Sequence, residues 1–142
     1  IMNILDTRDL AEKREELQTD LVNSFNDYFD TELEDFGDLT SYIDNSEDED
    51  VQEWRYDNSD DFEHIEEIDE LEEEISEFIY GETLIPNDDF TDYCEDMVND
   101  CYNLKDVPDF IKNNINWEGV ASDLKVDYSG VIYQGESFLV RA

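Results

Sequence analysis

The chain has 142 residues, 39% of them hydrophobic and 13% aromatic, which suits one folded domain with a modest core and is too aromatic for a disordered acidic tail. Against 8 basic residues stand 43 acidic ones, a formal net charge of −35, which rules out a direct nucleic-acid binder. Self-repulsion of that size destabilises a compact state, so function or habitat has to maintain it.

Residues 7–29 read as the first helix, with Asp6 or Thr7 as N-cap and Leu10, Leu17, Leu21, Phe25 and Tyr28 recurring at near-helical spacing. Arg8, Lys13 and Arg14 lie among its acids, the mixed pattern of a solvated helix face. From residue 30 to residue 61 the periodicity fades. A short helix or strand plus loop is expected there, with "NSEDED" as an exposed loop.

The stretch "DNSDDFEHIEEIDELEEEISEF", residues 57–78, holds twelve carboxylates in twenty-two positions. Phe62, Ile65, Ile68, Leu71 (or Glu72), Ile75, Phe78 and Ile79 step through it by threes and fours, which predicts one apolar stripe of an amphipathic helix. Its other faces are almost wholly acidic. The like-charge pairs Glu63/Glu67, Glu66/Glu70, Asp69/Glu73 and Glu70/Glu74 each cost a few tenths of a kcal/mol. No lysine or arginine lies between Tyr56 and Tyr80 to relieve them, so tertiary packing of the stripe has to hold the helix. Gly81 is the expected C-cap.

A third helix is expected from Asn87 or Asp88, with Phe90, Tyr93, Cys94, Met97 and Cys101 inward. The two cysteines are seven residues apart, roughly 10 Å along a helix, beyond the ~7 Å Cα separation a disulfide tolerates. Both are expected to be reduced, packed thiols. "KDVPDFIKNN" reads as a connector interrupted by Pro108. A short fourth helix follows, capped by Asn116, with Trp117, Val120, Ala121 and Leu124 inward and Glu118, Asp123 and Lys125 outward. Val131–Tyr133 and Ser137–Arg141, joined by Gln134-Gly135, predict a β-hairpin. A lone hairpin is marginal in water, so helices or a third strand from the 30–56 region should cover it. The expected class is α+β: several amphipathic acidic helices with a small antiparallel sheet that includes a C-terminal β-hairpin. A single domain over residues 1–142, loop-rich at 30–61, is expected. No segment reaches ~18 apolar residues, and the N-terminal "IMNILDTRDL" lacks a basic n-region, so neither a membrane span nor a signal peptide is expected.

The chemistry of an enzyme is missing. There is no GxSxG, P-loop or GxGxxG motif, and His64, the single histidine, has no Ser or Cys nucleophile beside it in sequence. Zinc is disfavoured by the absence of CxxC. Calcium loops fail by register: counted from Asp44, position six is Glu49 and position twelve Arg55; counted from Asp57 they are Phe62 and Ile68. An EF-hand needs Gly and Glu there. No catalytic residue, metal or cofactor is expected.

Three readings of the charge remain. A surface adapted to high salt would explain the four lysines, but not the clustering of the acids. An acidic module or chaperone for a basic nucleic-acid-binding protein would usually carry its charge on a flexible tail rather than on amphipathic elements. The third is a DNA mimic: duplex DNA carries one phosphate per ~1.7 Å of axis, so a net charge of −35 corresponds to very roughly 60 Å of duplex. A helix can hold carboxylates at fixed spacing, and attraction to a Lys/Arg-lined groove steers association.

The C-terminal third adds independent weight. "NINWEGVASDLKVDYSGVIYQGESFLVR", residues 114–141, resembles the pattern of ArdA-like antirestriction proteins of phages and mobile elements: an "IDWE"-type helix start, then "A.DL", then "DY" and a final β segment. The matching residues are Ile115, Asn116, Trp117, Glu118, Ala121, Asp123, Leu124, Asp127 and Tyr128. "LIPNDDFTDYCEDM" and "ILDTRDLAEKREELQ" are similar to the same group. The chain departs from it at Asn116, where an acid is usual, and shows no correspondence over 30–61. Trp117, Ala121 and Leu124 form a core face whatever the function, so the motif is read as mainly structural.

The resemblance implies a stoichiometric, non-enzymatic inhibitor that occupies the DNA-binding cleft of a type I restriction-modification enzyme in the cytoplasm of a bacterial host cell. A CRISPR effector is an alternative target. The family is elongated, curved and often dimeric, and a homodimer would extend the anionic track. The residues expected to stand in for phosphates are Asp57, Asp60, Asp61, Glu63, Glu66, Glu67, Asp69, Glu70, Glu72, Glu73, Glu74 and Glu77, with Glu47, Glu49, Asp48 and Asp50 as a second patch in a loop.

Overall fold

The computed structural model describes residues 2–141. In chain order it contains β1 (Leu5–Asp6), α1 (Thr7–Phe29), α2 (Phe36–Asp44), α3 (Glu49–Asp57), α4 (Ser59–Glu74), β2 (Thr83–Pro86), α5 (Phe90–Cys101), α6 (Asp109–Lys112), α7 (Trp117–Leu124), β3 (Tyr128–Tyr133) and β4 (Glu136–Arg141), with short 3-10 turns at Phe78–Tyr80, Asn87–Asp89 and Lys125–Asp127. The class is α+β. The chain divides into two compact units, one of Arg8–Glu74, the other of the segment ending at Thr7 together with the segment from Ile75 onward.

The first unit is all-helical and packs around Phe25, which is fully buried. Phe29 lies against it at 4.6 Å between ring centroids, while Tyr42 at 5.5 Å and Trp54 at 5.0 Å meet it edge-on. Offset and edge-to-face contacts of this kind add about 0.5–1.5 kcal/mol per pair beyond area burial. Leu17, Leu21, Val22, Leu39, Ile43, Val51, Phe62 and Ile65 complete the core. The expected inward position of Tyr28 is corrected: it is 72% exposed. The buried row of α1 runs through Val22 and Phe25, with Phe29 packed on it, leaving Tyr28 one position out of phase.

The 30–61 stretch is not loop-rich. It carries α2 and α3, nine residues each. The side chain of Asp35 caps α2 by accepting from the Asp38 amide, and that of Asp48 caps α3 by accepting from the Asp50 amide. Short helices with two buried residues apiece (Leu39 and Ile43; Val51 and Trp54) show too little periodicity to be read from sequence. No strand comes from this region, so the partner for the hairpin lies elsewhere.

That partner is β2. In the second unit the strands run in the order β1-β2-β4-β3, each antiparallel to its neighbour. Ile85 pairs with Leu139, and Val131 with Phe138. The hairpin turn places Gln134 at φ 52° and Gly135 at φ 75°, the positive-φ pair of a type I′ turn that matches strand twist. Thr7, the only polar residue among the fully buried side chains described, ties the N-terminal segment in: its hydroxyl donates to the Phe78 carbonyl at 2.6 Å and accepts from the Glu82 amide at 2.8 Å. It is therefore a tertiary anchor as well as the first residue of α1. Gly81 (φ 96°) follows the 3-10 turn at Phe78–Tyr80, not α4.

Ile85, Phe90, Cys94, Ala121 and Leu139 form the core of this unit, with Tyr93, Leu124 and Tyr128 packed on it. Both cysteines are free, but only Cys94 is packed; Cys101, the last residue of α5, is exposed, because the helix has passed the cluster by then. Burial pushes the Cys94 thiol up from its ordinary value, which keeps it protonated near neutrality. A thiol reagent such as DTNB should therefore react rapidly with Cys101 alone in the native protein and reach Cys94 only in denaturant. Rapid modification of both thiols under native conditions would show that the sheet–helix core opens readily.

Candidate functional site

Helix α4 carries the densest charge. Asp60 and Asp61 in its first turn favour the positive end of the helix dipole. Glu72, Glu73 and Glu74 oppose the negative end, and the α-helix stops at Glu74. It is thus shorter than the apolar stripe suggested. Phe62, Ile65, Ile68 and Leu71 are buried on it, Ile75 and Phe78 are buried beyond it, and Ile79 is 61% exposed because the helical phase has been lost.

Sequence proximity overstated the isolation of these acids. Arg14 of α1 reaches across the first unit and bonds Asp69 at 2.7 Å and Glu72 at 2.5 Å through one guanidinium nitrogen. Its pKa is raised: burial works against the charge, and the hydrogen bonds to Glu72 and Asp69 outweigh it. Arg55 of α3 sits 3.9 Å over the Phe62 ring, a cation–π contact beside the same helix. Asp69 and Glu72 are therefore held in an ion-pair clip, which docks one flank of α4 on α1.

The opposite flank is left as a line of carboxylates. Asp60, Glu63, Glu67, Glu70 and Glu74 follow one another by alternate steps of three and four, so a carboxylate recurs about every 5 Å along the axis. Glu66 and Glu73 run beside them. Along one strand of a duplex the charge spacing is ~3.4 Å, the same scale. Glu63, Glu66, Glu70, Glu73 and Glu74 are exposed, and Glu67 is half-buried.

Of the second patch, Glu47 and Asp48 precede α3 while Glu49 and Asp50 form its first turn. The expected loop is thus half helix, because the Asp48 cap starts α3 there. Asp57 closes α3 and is exposed; Glu77 lies beyond α4, in the second unit, also exposed.

The C-terminal motif residues gather in the second unit. Ala121 is in its core, Leu124 and Tyr128 pack on that core, Trp117 is half-buried, and Glu118, Asp123 and Asp127 face solvent. The Tyr128 ring meets Phe90 edge-on at 4.9 Å. Asn116 caps α7, its Oδ1 accepting from the Gly119 amide at 3.1 Å, and a Cβ at Gly119 would come within 2.8 Å of the Asn116 side chain. Asn and Asp cap about equally well, so the departure at 116 leaves the helix start intact.

A family model described as antirestriction protein (ArdA) matches residues 3–138. The chain belongs to the ArdA antirestriction family. Comparison with curated proteins and with solved structures gave no significant match. The family match runs through residues 30–61, where the short motifs show no correspondence. Antirestriction is the function that membership carries. Among the described residues of this ArdA-family protein no helix is long and apolar enough to cross a membrane, and no group of three or more His, Cys, Asp or Glu side chains is arranged to hold a metal ion.

Proposed function

We propose that this ArdA-family protein is a non-catalytic DNA mimic that occupies the DNA-binding groove of a type I restriction-modification complex. The observation that carries the reading is the carboxylate line of α4, mounted on a packed helical unit and clipped on its far flank by Arg14. A flexible tail would lose conformational entropy for each ordered residue on binding; a folded helix presents its charges already spaced. Cations held around the anionic line are released when the groove binds it, as they are from DNA, so affinity falls steeply with salt. The partner-binding set comprises the acids of α4 outside the Arg14 clip, Asp57, Glu77 and the Glu47–Asp50 segment.

The test is a titration of a purified type I restriction enzyme against its DNA substrate. Inhibition should saturate at a fixed stoichiometry, without turnover, and excess duplex DNA should displace the protein. If DNA does not compete and only basic client proteins are retained from a lysate, the acidic-chaperone reading replaces this one. Competition for a CRISPR effector instead would keep mimicry and change the target.

A further inference from the structure

Apart from α4, the first unit contains an open concavity of about 520 Å³ lined by Leu33, Asp38, Ser41, Tyr42, Asn45 and Ser46. Its parts are fixed in place. The Tyr42 ring, 42% exposed, stands edge-on to the buried Phe25. Leu33 is held by Asn26, which bonds both its amide (3.0 Å) and its carbonyl (2.9 Å). The Asn45 amide donates to the Ser41 carbonyl at 2.8 Å, and Gln52 of α3 donates to the carbonyls of Ile43 and Ser46. Asp38 lies one helical turn before Tyr42, so its carboxylate and the Tyr42 ring share a face of α2, about 6 Å apart along the axis. The concavity runs along one face of α2, from Asp38 in its first turn to Asn45 and Ser46 just past its end, and the last turn of the helix carries no basic residue.

We infer that this concavity binds an arginine side chain of the partner, its guanidinium lying on the Tyr42 ring and pairing with Asp38. A planar cation that both stacks on an aromatic face and forks onto a carboxylate is arginine rather than lysine. The chain's own arginines make each contact separately in the same unit: Arg55 on the Phe62 ring, Arg14 on Asp69 and Glu72. Charge complementarity selects the occupant, since the lining holds a carboxylate and no cation. That the arginine comes from a DNA-binding groove rests on the proposed function; the site's selectivity for a guanidinium does not. In mimicry the pocket would supply what evenly spaced carboxylates lack, a fixed point that sets the register of the anionic line against the groove.

The experiment is an NMR titration of the full chain with acetyl-arginine amide and, separately, acetyl-lysine amide. Shifts with the arginine probe should concentrate at residues 33–46 and on the Tyr42 ring, with about fivefold tighter binding than the lysine probe. Tyr42→Leu should erase that preference, Tyr42→Phe should keep it, and Asp38→Asn should weaken both probes. Equal binding of the two probes by the unmutated chain, or arginine shifts confined to α4, overturns the inference whether or not the Tyr42→Leu protein folds. No restriction enzyme enters the titration, so failure here leaves the DNA-competition result standing, and failure of DNA competition leaves the guanidinium site standing.

Discussion

Replacing Glu63, Glu67, Glu70 and Glu74 together by Gln should weaken inhibition on the order of 100-fold, while any one of these changes alone costs about threefold. Each solvated ion pair formed with the partner is worth roughly 0.7 kcal/mol, and four such losses add to about two decades in affinity. Gln keeps the shape and helix propensity of Glu, and relief of the Glu63/Glu67 and Glu70/Glu74 repulsions should leave α4 at least as stable. Loss of inhibition therefore cannot come from unfolding, which a thermal melt would check directly. The control carries the same charge change elsewhere: Asp88, Asp96, Asp100 and Asp106, all exposed in the second unit, replaced by Asn. If the control loses as much as the α4 variant, net charge alone drives binding and the α4 line is not the site. If a single Glu→Gln abolishes inhibition with the fold intact, one specific contact replaces distributed mimicry. The slope of log affinity against log salt should also become shallower for the α4 variant.

Phe25→Ala should cost about 3–5 kcal/mol, the range for removing a buried aromatic side chain. Phe25 is the hub on which Phe29, Tyr42 and Trp54 converge, so its loss opens the space between α1, α2 and α3 at once. In a protein of ordinary marginal stability, about 5–15 kcal/mol, and with like-charge repulsion already working against compaction, this should lower the melting temperature by roughly 15–30 °C. Inhibition should fall with it at assay temperature, since α4 loses the core through which Phe62 and Ile65 hold it. Phe25→Leu, which retains most of the volume, should cost much less. Circular dichroism melts would measure both; a drop below about 5 °C for the alanine variant would show that the core does not hinge on this ring. Added salt should raise the melting temperature of every variant by screening the exposed acids.

The long elements were legible because their periodicity is long. Twenty-three residues of α1 and sixteen of α4 give several turns over which an apolar row repeats. The hairpin was legible from Gln134-Gly135 between two β-rich runs, and α7 from its Asn116 cap. Helices α2 and α3 were not, since each buries two side chains and is organised by caps whose carboxylates look like any other acid in so acidic a sequence. Among the candidate residues, the acidity of α4 was plain, while the pairing of Asp69 and Glu72 with Arg14 was invisible. Arg14 and Asp69 are 55 residues apart in the chain.

The amino-acid sequence by itself determined the net charge, the amphipathic pattern that seats α4 with its acids outward, and a resemblance to the ArdA family in short motifs, because these depend on residue type and local spacing. Only the tertiary structure decided that Thr7 ties the N-terminal segment to Phe78 and Glu82, that the hairpin's third strand is β2, that Arg14 pairs with Asp69 and Glu72 on one flank of the acidic helix, and that Leu33, Asp38 and Tyr42 line one concavity. Apart from Asp38 and Tyr42, one helical turn apart, each of these joins residues whose separation in sequence carries no periodic signal, and contacts of that kind exist only once the chain has closed on itself.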